Sequence, residues 1–154
     1  MRTILAGFVL VAVACGGGES GSSDSAPAAT PAADAAQPAA QGAVHEVRME
    51  LTASGDYVYN PAALTIRQGD RVRWLNISGF PHNVAFYGDR IPAGAEAILN
   101  AAMTNRMGSL SGALMVVPDA VYEVSFAGAP TGTYNYFCTP HEMVGMVATL
   151  TITQ

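Results

Sequence analysis

The chain has no lysine. Its seven basic residues are all arginine, set against twelve carboxylates for a net charge of −5. That balance excludes nucleic acid as a partner, because neutralising phosphates takes a basic patch. Charge of either sign is scarce, at 12% of residues, while half the residues are apolar, so the chain can build a core and is not globally disordered. No apolar run reaches the roughly 20 residues of a membrane-spanning helix; the run from Ile4 to Ala14 falls short. Histidine occurs three times and cysteine twice, too few for a disulfide framework or for an enzyme built on several metal centres. At 154 residues there is room for one domain and some extra length. No internal repeat is found.

What is present falls into three stretches. Residues 1–14 carry Arg2, a short apolar centre and small residues before a break, the marks of a secretory signal. Val11-Ala12-Val13-Ala14-Cys15 resembles the lipobox of bacterial lipoproteins, which implies lipid attachment at Cys15. The alternative is a plain signal cut after Ala14. From Cys15 to Ala43 the chain is rich in Gly, Ser, Ala and Pro and lacks hydrophobic periodicity, so it reads as a disordered linker. A flexible chain of that length has an r.m.s. reach of roughly 30 Å. Residues 44–154 read as the folded domain. Alternation at Val47, Met49 and Leu51, the turn Gln68-Gly69-Asp70 followed by Val72, Trp74 and Asn76, and apolar stretches at Val84–Tyr87, Val121–Phe126, Thr133–Phe137 and Val147–Thr153 predict strands. Ala93–Met103, with Pro92 beside its start, predicts one helix. The expected fold is an all-β sandwich with that short helix in a crossover.

If Cys15 is taken by the export machinery, Cys138 is the only thiol of the mature domain. An unpaired cysteine in an exported protein is by default a small buried apolar residue. Its neighbours alter that reading. Cys138-Thr139-Pro140-His141 puts an imidazole three positions after the thiol, Met146 follows, and His82 stands upstream in Gly79-Phe80-Pro81-His82-Asn83. Two imidazoles and a thiolate with an axial thioether form the donor set of blue-copper electron-transfer sites. Soft sulfur favours Cu(I) and imidazole serves both oxidation states, so one pocket accepts either. Met143 competes for the axial place; Met146, immediately before the last strand, is preferred. His45, beside the linker, is expected to be solvated, and Met49, Met103, Met107 and Met115 to fill core or surface positions. A zinc site from His82, Cys138 and His141 is a poorer match, since methionine is a weak zinc ligand.

Gly79-Phe80-Pro81-His82-Asn83-Val84 with Ile91-Pro92-Ala93-Gly94, and Gly132-Thr133-Tyr134 with Phe137-Cys138-Thr139-Pro140-His141 and Gly145-Met146-Val147, resemble the copper loops of the plastocyanin-like cupredoxins. The similarity runs from Val44 to Gln154 and is weak over Asn100–Pro118, which reads as an insertion. The resemblance implies a Greek-key sandwich holding one copper ion between His82, Cys138, His141 and Met146. It also implies that the Asn83 amide ties the two loops together, and that His141 emerges within an apolar docking patch of Phe80, Pro81, Met143 and Val144. Three departures stand out: Phe137 replaces a tyrosine, Met143 replaces a small residue, and the carboxylates are scattered.

The expected function is single-electron transport by Cu(II)/Cu(I) cycling, with no enzymatic activity. The expected partners are redox proteins such as cytochromes or membrane electron-transfer complexes. The alternative is a periplasmic copper carrier or delivery protein. The protein is expected to be an exported monomer, anchored through lipidated Cys15 to a bacterial membrane and facing the periplasm or the cell exterior.

Overall fold

Alternating apolar residues on short β-branched stretches give two sheets whose inner faces meet. The computed structural model describes residues 42–154; the signal segment, Cys15 and all but the last two residues of the linker lie outside them. Among the described residues, β1 (Val44–Leu51), β2 (Tyr57–Asn60), β4 (Arg71–Asn76) and β6 (Val121–Ser125) form one sheet in the order β2-β1-β4-β6. The other has the order β3-β8-β7-β5, from β3 (Ala63–Arg67), β8 (Val147–Thr153), β7 (Gly132–Phe137) and β5 (Ala85–Phe86). The pairs β1–β4 and β3–β8 are parallel and the rest antiparallel. α1 (Ala95–Ala102) lies in the connection from β5 to β6, crossing from one sheet to the other. No helix among the described residues is long and apolar enough to cross a membrane.

The period of two is visible in burial. Val47 and Met49 in β1, Val72 and Trp74 in β4, Tyr134 and Tyr136 in β7, and Ala148, Leu150 and Ile152 in β8 point inward. Trp74 meets Phe86 and Tyr136 edge to face, with centroids 6.5 and 5.7 Å away, a favoured arrangement for aromatic quadrupoles. Met49, Met103 and Met115 fill this core, while Met107 is exposed.

Several boundaries differ from expectation. Gly94 takes a left-handed conformation (φ 82°), so α1 begins at Ala95 and not at Ala93. Strand β5 is two residues long: the Val84 carbonyl accepts from Gly112 N–H, outside the β5–β7 ladder, while Tyr87 N–H still donates to the Asn135 carbonyl of β7. Asn100–Pro118, which reads as an insertion, is part of the core: Leu110 and Met115 are buried, and Met115 N–H donates to the His82 carbonyl over 2.7 Å. His45 is half-buried and not free in solvent: its Nε2 donates to Asp70 Oδ2 over 2.8 Å.

The strand directions set two ends. β1 and β4 start together at Val44 and Arg71, beside Asp70, and β4 runs toward His82. β7 runs to Cys138, and β8 starts after Met146 and runs back toward Thr153. The candidate ligands therefore gather at one end and the Asp70 cluster sits at the other.

Candidate metal centre

Two loops bring the donors together. The first follows β4 and is organised by Asn76, which is fully buried. Its Oδ1 accepts from Gly79 N–H (3.1 Å) and its Nδ2 donates to the carbonyls of Phe80 (2.9 Å) and Met115 (3.2 Å). This is an asparagine-initiated turn, and with Gly79 in the left-handed region (φ 73°) it delivers His82 into the core. The second loop joins β7 to β8. Cys138 follows β7 directly and caps a 3-10 helix, Thr139–Val144, with Pro140 in its first turn and Gly145 (φ 91°) closing it. Cys138 N–H donates to the Met146 carbonyl and Met146 N–H to the His141 carbonyl, both over 3.1 Å.

The donors converge as the sequence predicts. Cys138 Sγ lies 3.5 Å from Nδ1 of His82 and 3.5 Å from Nδ1 of His141, and the two nitrogens are 3.2 Å apart. The point equidistant from those three atoms is about 2.0 Å from each, the length of a first-row metal–imidazole bond. Met146, bonded through its backbone to Cys138 and His141, is fully buried, whereas Met143, the competing thioether, is 95% exposed. The residues therefore fit a mononuclear ion, and His82, Cys138, His141 and Met146 are positioned as a type 1 copper site.

Burial sets the protonation of the donors. Desolvation, with a smaller contribution from His141, pushes His82 down to about 4, so its ring is neutral and able to ligate near pH 7. Desolvation lowers His141 as well. It raises the Cys138 thiol, against the opposing pull of hydrogen bonds from Asn83 and His141 N–H. Metal uptake at neutral pH must therefore displace the thiol proton.

Surrounding groups hold the two histidines differently. Nδ1 of His82 is turned to the other donors and its Nε2 lies 2.8 Å from Ser78 Oγ, so ligation through Nδ1 would leave the ring proton on Nε2 facing that hydroxyl. Asn83 spans both loops. Its Oδ1 accepts from Thr139 N–H (2.7 Å), and its Nδ2 donates to Thr139 Oγ1 (3.0 Å) and Ser111 Oγ (3.2 Å). The Tyr59 hydroxyl donates to the Asn83 carbonyl over 2.6 Å. Tyr87, beside Phe137, donates its hydroxyl to Glu142 Oε1 over 2.8 Å. Sequence reasoning missed Asn76, Ser78 and the β2 tyrosines; an Asn two positions before Ser-Gly at a strand end was the available sign for the first two.

The end face above the donors is apolar. Met143 projects almost wholly into solvent, Val144 is 66% and Phe80 44% exposed, and Pro81 is exposed beside them.

A family model described as copper binding proteins, plastocyanin/azurin family, matches residues 45–153. Plastocyanin from Scenedesmus fuscus is 39% identical over 110 residues, covering 70% of this chain and 99% of that protein. Plastocyanin from Synechococcus sp. (strain JA-2-3B'a(2-13)) is 42% identical over 95 residues, 62% of this chain; the match spans 63% of that protein's length. The solved structure of oxidized plastocyanin from Dryopteris crassirhizoma superposes with a TM-score of 0.54 at 25% identity, over 70% of this chain and 99% of that one. Pseudoazurin from Methylobacterium extorquens AM1 gives 0.53 at 25% identity, over 72% and 76%.

Proposed function

Since the chain belongs to the plastocyanin/azurin family of copper binding proteins, we propose that it shuttles single electrons between membrane-associated redox partners, passing them through the apolar end face around His141. Copper supplies the one-electron couple when bound. The protein's part is to hold the donors in one arrangement and to give partners a short path to them.

One observation carries the reading: the three converging donors lie under a face whose most exposed side chains are apolar. His82, Cys138 and Met146 are fully buried, while His141 is partly exposed between the donors and the surface. Three inaccessible ligands favour retention of the ion over its delivery. Phe80, Pro81, Met143 and Val144 form the docking face in this proposal. Exposed apolar patches mark interaction sites, and brief redox encounters bury little area. The flexible thioether of Met143 suits an irregular partner. Glu142, a carboxylate in this loop, is engaged by the Tyr87 hydroxyl, so electrostatic steering is weak in this reading and association depends modestly on salt.

The proposal extends to location. An exported head held by lipid at Cys15 on the Cys15–Ala43 linker would exchange electrons at a bacterial membrane, facing the periplasm or the exterior. The mass of the native N-terminus distinguishes the lipidated form from a plain cleaved one.

The functional test is stopped-flow electron exchange with a cytochrome. Met143→Glu and Val144→Glu should each slow exchange severalfold while leaving the copper spectrum intact, because a carboxylate in the patch must be desolvated on docking. Unchanged rates in both variants, or a steep fall in the wild-type rate with salt, would refute this docking face.

A further inference from the structure

The two histidine donors have unequal support. His82 is fully buried and its Nε2 has Ser78 Oγ at 2.8 Å, the kind of partner that fixes tautomer and ring orientation in metal-binding histidines. His141 is partly exposed and sits in a 3-10 segment, Thr139–Val144, that contributes no buried side chain. Among the described residues no group hydrogen-bonds its Nε2; its Nδ1 faces Cys138 Sγ and His82 Nδ1. Backbone bonds place its main chain, but they do not fix rotation of the ring.

An aromatic ring occupies the place of the missing partner. Tyr57, the first residue of β2, lies face to face with the His141 imidazole, with centroids 3.8 Å apart and planes inclined by 12°. That separation is van der Waals contact. The Tyr57 ring is itself braced edge-on by Phe80 (5.7 Å) and by His82 (5.8 Å). Its strand is fixed to β1 through the pair Leu51↔Tyr57, and two positions on, Tyr59 anchors the Asn83 carbonyl from the same face of β2. A parallel ring at contact distance blocks the imidazole from turning about its Cβ–Cγ bond, the motion that would swing Nδ1 away from the other two donors.

We propose that Tyr57 is the positioning residue for His141, doing by stacking what Ser78 does for His82 by hydrogen bonding. The ring, and not the hydroxyl, performs this role. The proposal rests on the copper site itself and is independent of which partners the protein serves. It implies that the more exposed donor keeps one orientation in both oxidation states, which keeps the rearrangement accompanying electron transfer small.

The test compares wild type, Tyr57→Leu and Tyr57→Phe in two measurements. The first is the rate of copper loss from the holoprotein to excess EDTA. Aromatic pairs are worth a factor of about two to twelve in an equilibrium constant, and Tyr57→Leu should accelerate copper loss by about that factor while Tyr57→Phe stays at the wild-type rate. The second is NMR of the metal-free protein. The His141 ring protons should lie in the shielding zone of Tyr57, move downfield in Tyr57→Leu, and keep their shielding in Tyr57→Phe. If Tyr57→Leu does not fold, Tyr57→Met retains the apolar contact with Phe80 without a ring plane and carries the same comparison. Wild-type copper loss and unmoved His141 resonances in the leucine or methionine variant would overturn the proposal. So would a phenylalanine variant as impaired as the leucine one. None of these substitutions replaces a donor, so the presence of the blue absorption reports on the copper reading separately.

Discussion

The two ends of the sandwich handle buried polarity in opposite ways. At one end, Asp70 is saturated by the protein: its Oδ1 accepts from Ala43 N–H (2.8 Å), and its Oδ2 from Arg67 N–H (3.0 Å) and His45 Nε2 (2.8 Å). At the other end, a thiol and two imidazole nitrogens crowd within 3.5 Å, more acceptors than the protein has protons to place between them. A buried polar group without a partner is costly. The first end is therefore complete once the chain folds. The second becomes complete when a cation enters, and its hydrogen bonds serve to hold that arrangement open. The same chemistry closes one end and prepares the other.

The sharpest way to break the contrast is to remove the thiol. Cys138→Ser should abolish the blue absorption altogether, since a hydroxyl provides no thiolate charge transfer. Copper should then no longer raise the melting temperature, because binding to the native state is what couples the ion to stability. A coloured Cys138→Ser protein would mean that another sulfur ligates.

A smaller effect separates holding from ligating. Asn83→Ala removes the bonds to Thr139 and Ser111 that tie the two loops. It should cost about 3 kcal/mol in urea denaturation and also hasten copper loss. If stability falls while copper retention is unchanged, Asn83 supports the fold and not the site.

The smallest effect belongs to the far end. Backbone N–H donation from Arg67, then the His45 side chain, hold the Asp70 carboxyl below its ordinary value of 3.8. A depressed carboxylate stabilises fully above that ordinary value, and the contribution disappears as pH falls through the lower folded value. Asp70→Asn should therefore cost about 2 kcal/mol near neutrality, and the gap from wild type should close as pH falls below 3.8. The visible spectrum at neutral pH should be unaffected. A gap that stays constant into acid would show that the charge of Asp70 contributes nothing.

The sequence disclosed most of the copper end because its ligands are local. Cys138, His141 and Met146 lie on one loop between two strands whose apolar alternation is long enough to recognise, and β8 has the predicted limits, Val147–Thr153. Long-range pairings were harder to read. Strand β2 has only four residues and ends against Pro61, too short for a periodic signal, so Tyr57 and Tyr59 gave no sign of reaching His141 and Asn83. The Asn100–Pro118 segment read as an insertion because the resemblance is weak there. Its role lies in single backbone contacts, Met115 with His82 and Ser111 with Ala85, which no pattern of residue types encodes.

The loop from Cys138 to Met146 has one more consequence. Strands β7 and β8 are in register right up to Phe137↔Val147, and the Cys138–Met146 backbone bond continues that closure by one pair. Everything beyond it is the tip of a hairpin, tied to the rest of the sandwich by Asn83 at Thr139, Tyr57 at His141 and Tyr87 at Glu142. Three of the four ligands thus travel as a cassette. A tip of different length grafted between the same two strands would retune the metal, provided that it kept those three ties. Evolution and protein engineering alike have a place here to change redox behaviour through one short stretch of gene.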